Sequence, residues 1–136
     1  MIDINGSCHC GNVSYEAKID PEKVIICHCT DCQIMSGGAY RWGTLVDASD
    51  FHLLCGEPTY YQKTSESGSP RYLAFCGTCG TSLWGGDSKK PSQYSLRLST
   101  ADQAKNLAPK LQIWHRSSYP WVKSLHEITA IEAQDF

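Results

Sequence analysis

Positive charge is scarce in this sequence, and no stretch concentrates it. Twelve Lys and Arg face fourteen Asp and Glu, a formal net charge of −2 at pH 7. The densest basic stretch, Lys89-Lys90, is thin for a protein that grips a phosphate backbone, so no nucleic-acid partner is expected. Long apolar runs are also missing. Nothing approaches the ~20 residues of a membrane span or forms a secretory core segment, so no membrane partner is expected and the cytoplasm is the default compartment. Repeats and low-complexity segments are absent. Charged residues are only 19% and hydrophobic ones 41%, a globular and not a disordered composition. At 136 residues, with no internal boundary, the chain reads as a single domain over 1–136. A chain this short gains from a staple such as a metal.

Helix signals are few as well. Thr100–Leu107 could give two turns before Pro109, and Cys32–Ser36 one more. Alternation with a period of two dominates instead. Val13, Tyr15, Ala17 and Ile19 alternate with Ser14, Glu16 and Lys18, the mark of a half-buried strand. Val24–Cys27, Tyr40–Val46, Tyr60-Tyr61, Tyr72–Phe75, Tyr94–Leu98 and Leu111–Trp114 read as further strands. Gly37-Gly38, Gly56-Glu57-Pro58, Gly68-Ser69-Pro70 and Gly85-Gly86 punctuate them, and Thr64–Pro70 reads as an exposed hairpin loop. The class is mostly β, with about eight to ten short strands.

Cysteine is what the chain has in excess. There are eight, and seven fall in close-spaced groups: Cys8/Cys10, Cys27/Cys29/Cys32 and Cys76/Cys79. Without an export signal, metal ligation is a better reading than a disulfide framework. On a strand, residues i and i+2 share a face, so each Cys-x-Cys can present two sulfurs together and send His9 or His28 to the opposite face, away from a metal. Cys76-Gly77-Thr78-Cys79-Gly80 has the glycines of a zinc knuckle, and these argue against the helix that a thioredoxin-type redox pair would need. With Cys8 and Cys10 it makes four thiolates, a closed tetrahedral and therefore structural Zn²⁺ site. Cys27, Cys29 and Cys32 then form a three-sulfur set that leaves a fourth position open, as catalytic zinc requires. Thr30 with Gln33 fits a capping box that would put Cys32 near a helix N-terminus, where thiolate is favoured. Spacing alone also allows Cys27 and Cys29 to join the knuckle. Cys55, in Leu53-Leu54-Cys55-Gly56, is expected as a small buried hydrophobe.

The ordered set is Gly6-Ser7-Cys8-His9-Cys10-Gly11 with Val13; Cys27-His28-Cys29 with Cys32 and Ser36-Gly37; Gly56-Glu57-Pro58; and Phe75-Cys76 with Cys79-Gly80-Thr81 and Leu83. It resembles the glutathione-dependent formaldehyde-activating enzyme family, which includes centromere protein V-like proteins. The resemblance runs from about residue 5 to residue 121, ending in Trp114-His115 and Tyr119-Pro120-Trp121. It implies an Mss4-like fold of antiparallel sheets stapled by zinc, with two zinc ions per chain. Cys8, Cys10, Cys76 and Cys79 would hold the structural ion, and Cys27, Cys29 and Cys32 the catalytic one. The implied reaction joins glutathione to formaldehyde as S-hydroxymethylglutathione, formally carbon–sulfur lyase chemistry.

Deprotonated ligands and two zinc ions would take the chain close to −5, by ligand counting. An anionic tripeptide would then need local cations. Arg41, Arg71, Arg116 and Lys63 are candidates, with backbone amides around Gly37-Gly38. His115 could be a general acid but reads better as a packed residue at the core edge. The competing classes are a zinc-stapled glutathione carrier or protein-binding module without catalysis, and a thiol redox enzyme. The last needs a free reactive cysteine, and only Cys55 is left over.

Overall fold

The computed structural model describes residues 1–134. Its elements in chain order are β1 (Ile2–Ser7), β2 (Ser14–Ile19), β3 (Ile25–Cys27), α1 (Thr30–Ser36), β4 (Arg41–Asp47), β5 (Phe51–Cys55), β6 (Thr59–Thr64), β7 (Pro70–Phe75), β8 (Ser82–Gly86), β9 (Gln93–Arg97) and β10 (Leu111–Ile113). Short 3₁₀ turns fill the gaps. The strands form a three-stranded sheet, β1-β2-β5, and a seven-stranded sheet, β10-β3-β4-β9-β8-β7-β6. This is the mostly β, Mss4-like architecture expected, with one departure: β10 pairs with β3 in parallel, so the larger sheet is mixed. Among the described residues no helix is long and apolar enough to cross a membrane.

The alternating strands form where their apolar faces can meet. In β2, Tyr15, Ala17 and Ile19 are buried while Glu16 and Lys18 are exposed. That face joins Ile4, Val46, Leu83, Leu96 and Leu98 in one core between the sheets. Phe51 is its aromatic hub, stacked on Tyr94 with ring centroids 4.4 Å apart and meeting Trp84 edge-on at 5.1 Å. The expected exposed hairpin is present: Thr64 pairs with Pro70 and closes the loop between β6 and β7. Three strands carried little alternation. β1 buries only Ile4 and Gly6, β5 buries only Phe51, and β8 buries Leu83, Trp84, Gly85 and Gly86 in succession.

The helix expected over Thr100–Leu107 is not formed. Two 3₁₀ turns, Leu98–Thr100 and Ala104–Asn106, take its place. Thr100 and Asp102, the polar residues at its start, are engaged elsewhere. Asp102 gives its amide to Asn5 O (2.8 Å) and accepts the Asn5 side-chain amide at 2.7 Å, tying this segment to β1. The Thr100 hydroxyl donates to Arg97 O at 2.7 Å and accepts the buried Tyr15 hydroxyl at 2.8 Å. Tertiary bonds thus outcompete the local helix.

Tyr15 supplies a stability prediction. Burial pushes its phenol up to about 12 from the usual 10, opposed by the bond to Thr100. The folded chain therefore holds the proton in a range where the unfolded chain has lost it. The stability is complete below about 10 and drains away as pH rises towards about 12. Tyr15→Phe should cost about 1 kcal/mol at neutral pH through the lost hydrogen bond. It should also remove most of the alkaline decline, worth up to roughly 3 kcal/mol at the usual conversion. Urea denaturation across that pH window measures both effects.

Candidate functional site

Cys8 and Cys10 lie in the connection from β1 to β2, and Cys76 and Cys79 in the connection from β7 to β8. Their four sulfurs all fall within 4.8 Å of one another. The expected strand geometry is not how this is done. Both Cys8 and Cys10 sit outside strands, in a turn closed by Gly11 N–H to Cys8 O at 3.1 Å. A turn can gather two sulfurs from closely spaced residues as well as a strand can. His9 is exposed, and its amide donates to Thr81 Oγ1 at 3.1 Å.

The knuckle forms as its glycine demands. Gly80 has φ +80°, a left-handed conformation costly for other residues, and its amide closes the turn on Cys76 O at 2.8 Å. The Sγ–Sγ separations are 3.7 Å for Cys8–Cys10 and 3.7 Å for Cys10–Cys76. That is far beyond a disulfide. It matches the edge of a tetrahedron with metal–sulfur bonds of ~2.3 Å, which works out at about 3.8 Å. The charges point the same way. The Thr81 hydroxyl and amide, with the Cys10 amide, hold the Cys79 thiol down at about 5. At Cys10 the Asn12 amide favours thiolate, yet desolvation and three neighbouring sulfurs push it up to about 11. Without a cation the sulfurs must divide little charge between them, and a divalent ion would relieve that conflict.

The second cluster is Cys27, Cys29 and Cys32, again within 4.8 Å. Cys27 ends β3, Cys29 caps α1 and Cys32 lies in its first turn. The expected Thr30–Gln33 capping box is not formed. The cap is Cys29, whose sulfur accepts the Cys32 amide at 3.4 Å, while the Gln33 side chain donates to Ser117 O at 3.0 Å. A sulfur at the cap satisfies the same orphan amides and keeps Cys32 at the helix start, as the box was meant to do. Burial pushes the Cys29 thiol up to about 12. Burial would raise Cys32 as well, but the Arg41 guanidinium, with Nε 3.2 Å from its sulfur, brings it below the ordinary value. Three acceptor sulfurs with amide and guanidinium donors beside them fit a metal ion.

Neither cluster includes His28, which packs. It is fully buried, donates from Nε2 to Gln112 Oε1 at 2.8 Å, and meets Tyr40 and His115 edge-on. His115 covers it from an exposed position instead of packing at a core edge. Cys55 is exposed, contrary to expectation, because β5 is an edge strand whose residues after Phe51 all face solvent. Arg116 lies over the Trp114 ring at 4.8 Å. The Gly37 and Gly38 amides are used in closing α1, on Ile34 O and Gln33 O, and are not free for a ligand.

Beside Cys32 opens a cleft of about 990 Å³. Met35, Tyr40, Trp42, Phe75 and Trp84 give it apolar walls, and it reaches Gly80, Thr81 and Ser82 at the foot of the knuckle. Its charged residues are Asp31, Lys63, Arg41 and Arg97. Lys63 pairs with Asp31. Arg97 is not among the cations expected from the sequence. The available signal was a long cation in the alternating run Tyr94–Leu98, on the strand face shared with Ser95.

A family model described as glutathione-dependent formaldehyde-activating enzyme matches residues 3–117. The chain belongs to this family. The match spans both cysteine clusters and the cleft between α1, β7 and β8. Family membership, with seven clustered cysteines, makes metal binding and glutathione-related chemistry the frame for the site. A crystal structure of a Rhodobacter sphaeroides protein is similar in fold, with TM-score 0.62 at 20% identity, covering 79% of this chain and 98% of that one. Comparison with curated proteins gives no match.

Proposed function

We propose that this member of the formaldehyde-activating family is a cytoplasmic, zinc-dependent, thiol-activating enzyme. Its reaction is that of a carbon–sulfur lyase acting on glutathione adducts such as S-hydroxymethylglutathione. The carrying observation is the contrast between a four-sulfur set and a three-sulfur set that meets a cleft of about 990 Å³ at Cys32. Cys8, Cys10, Cys76 and Cys79 would hold a structural zinc; Cys27, Cys29 and Cys32 would hold a second and are the catalytic ligands. When bound there, zinc would supply a Lewis acid that keeps a substrate thiol in its nucleophilic, deprotonated form.

The chain's own groups do the rest. Cys29 and the Cys32 amide set the position of the three sulfurs at the start of α1. Arg41 steadies the charge on Cys32 and brings a fixed cation to the edge of the cleft. The apolar walls keep water from competing for a reactive aldehyde, and Lys63 offers a partner for a carboxylate of an anionic thiol. No nucleic acid or membrane enters this scheme.

The test is selective metal removal. A mild chelator should withdraw one zinc of two, from the three-sulfur site, and abolish adduct cleavage while the far-ultraviolet spectrum stays unchanged. One equivalent of zinc should restore activity. Glutathione binding without any turnover in the fully loaded protein would favour a carrier. Two equally inert ions would favour a binding module.

A further inference from the structure

Arg41 and Arg97 converge on one neutral oxygen. Arg41 Nη1 donates to Ser95 Oγ at 3.1 Å and Arg97 Nη1 donates to the same atom at 3.0 Å. Arg41 has the Cys32 sulfur beside it as a counter-charge, whereas the hydrogen-bond partners of Arg97 among the described residues are the neutral Ser95 O, at 2.8 Å, and Ser95 Oγ. None of the ion pairs among the described residues involves either arginine. Arg71 adds to the excess. The point where a Gly85 side chain would begin lies 3.3 Å from Arg97 Nη2 and 3.8 Å from Arg71 Nη2. Burial, with Arg41 and Arg71 nearby, brings the Arg97 guanidinium down to about 10, against the opposing pull of Cys32 and Cys27. Desolvating cations that have no carboxylate to pair with is costly, so such an arrangement argues for an anion that belongs to it. Planar guanidinium forks match a carboxylate in geometry as well as charge.

We propose that Arg41, Ser95 and Arg97 form a carboxylate subsite beside Cys27, Cys29 and Cys32, and that the carboxylate belongs to the carbonyl substrate, a 2-oxo acid of the glyoxylate type. This rests on the thiol-activating reading of the cleft. Formaldehyde is neutral and offers a guanidinium nothing to hold. Glutathione carries its carboxylates at the far ends of the tripeptide, many bonds from its sulfur. The subsite begins at the sulfur cluster itself, with Arg41 Nε 3.2 Å from Cys32 Sγ. A carboxylate on the reacting carbon suits that short separation. In the step, the thiolate sulfur adds to the carbonyl carbon. A carbon–sulfur bond forms, the carbon–oxygen π bond breaks, and its electron pair passes to oxygen. That oxygen takes up the proton the thiol gave up. The product is a hemithioacetal, nothing is oxidised or reduced, and the carboxylate stays in place throughout.

The experiment uses the zinc-loaded full chain and oxamate, an unreactive mimic of glyoxylate. Trp42 and Trp84 line the cleft, so their fluorescence reports occupancy. Oxamate should bind the wild type and bind Arg97→Gln at least tenfold more weakly. Arg97→Lys, which keeps the charge and loses the fork, should fall between. Unchanged zinc content in both variants shows that they fold. In adduct formation with glutathione, Arg97→Gln should lose at least tenfold more kcat/KM with glyoxylate than with formaldehyde. Equal losses with both aldehydes, abolished when cysteamine replaces glutathione, would assign the carboxylate to the thiol and overturn the proposal. Failure of the folded wild type to bind oxamate would overturn it too. Oxamate binding with no adduct from any thiol and aldehyde would support the subsite and refute the lyase reading.

Discussion

Cys76→Ser should leave this protein unfolded or molten, whereas Cys29→Ser should fold and lose one metal ion. The difference follows from what each cluster joins. Cys76 and Cys79, near mid-chain, meet Cys8 and Cys10 near its start, with Cys10 and Cys76 separated by 66 positions. The contact therefore clamps the β1–β2 connection of one sheet to the β7–β8 connection of the other. Structural zinc of this kind contributes on the order of 10 kcal/mol or more to folding at pH 7. Whole domains are stable by only about 5–15 kcal/mol, so losing that link leaves little. Cys29 belongs to one short segment at the start of α1, already fixed by β3 pairing with β4 and β10. Removing its sulfur opens no long loop. Near-ultraviolet dichroism and metal content by mass spectrometry read both outcomes. Two variants of equal stability, each retaining two metal ions, would refute this partition of ligands.

S-methylglutathione should bind at least roughly tenfold more weakly than glutathione, about 1.4 kcal/mol by affinity arithmetic. The two ligands share every peptide contact and both carboxylates. They differ in the sulfur, since a thioether is a poor zinc ligand and has no proton to lose. If the three-sulfur site takes the substrate through its thiol, glutathione binding must release a proton, and its affinity must rise with pH until the free thiol ionises. Calorimetry in two buffers of different ionisation heat reports affinity and proton together. Equal affinities with no proton released would move the protein from thiol-activating enzyme to peptide-binding module. Failure of either ligand to bind would leave metal binding intact and remove glutathione from it.

The cysteine spacing and the strand periods were legible because both are local patterns with a direct physical reading. β2, β4, β7 and β9 follow from alternation, and the knuckle from Gly80. β8 was not legible, since a strand covered on both faces and ending in two glycines shows no alternation. The Thr100–Leu107 helix failed for the opposite reason. Its local signals are sound, but Asn5 and Tyr15, distant in sequence, claim Asp102 and Thr100. The exposure of Cys55 depended on where β5 falls in its sheet.

By itself, then, the sequence determined the ingredients: seven clustered thiols, a mostly β chain, and a resemblance that a family match over residues 3–117 bears out. Those properties reside in residue types and short spacings. Tertiary structure alone decided which cysteine pairs meet, because spacing also allowed Cys27 and Cys29 to join the knuckle. It alone decided that Cys29 and not Thr30 caps α1, and that Arg41 and Arg97 face one serine across adjacent strands. Register and turn geometry set these contacts between residues far apart in the chain, and no local pattern encodes them.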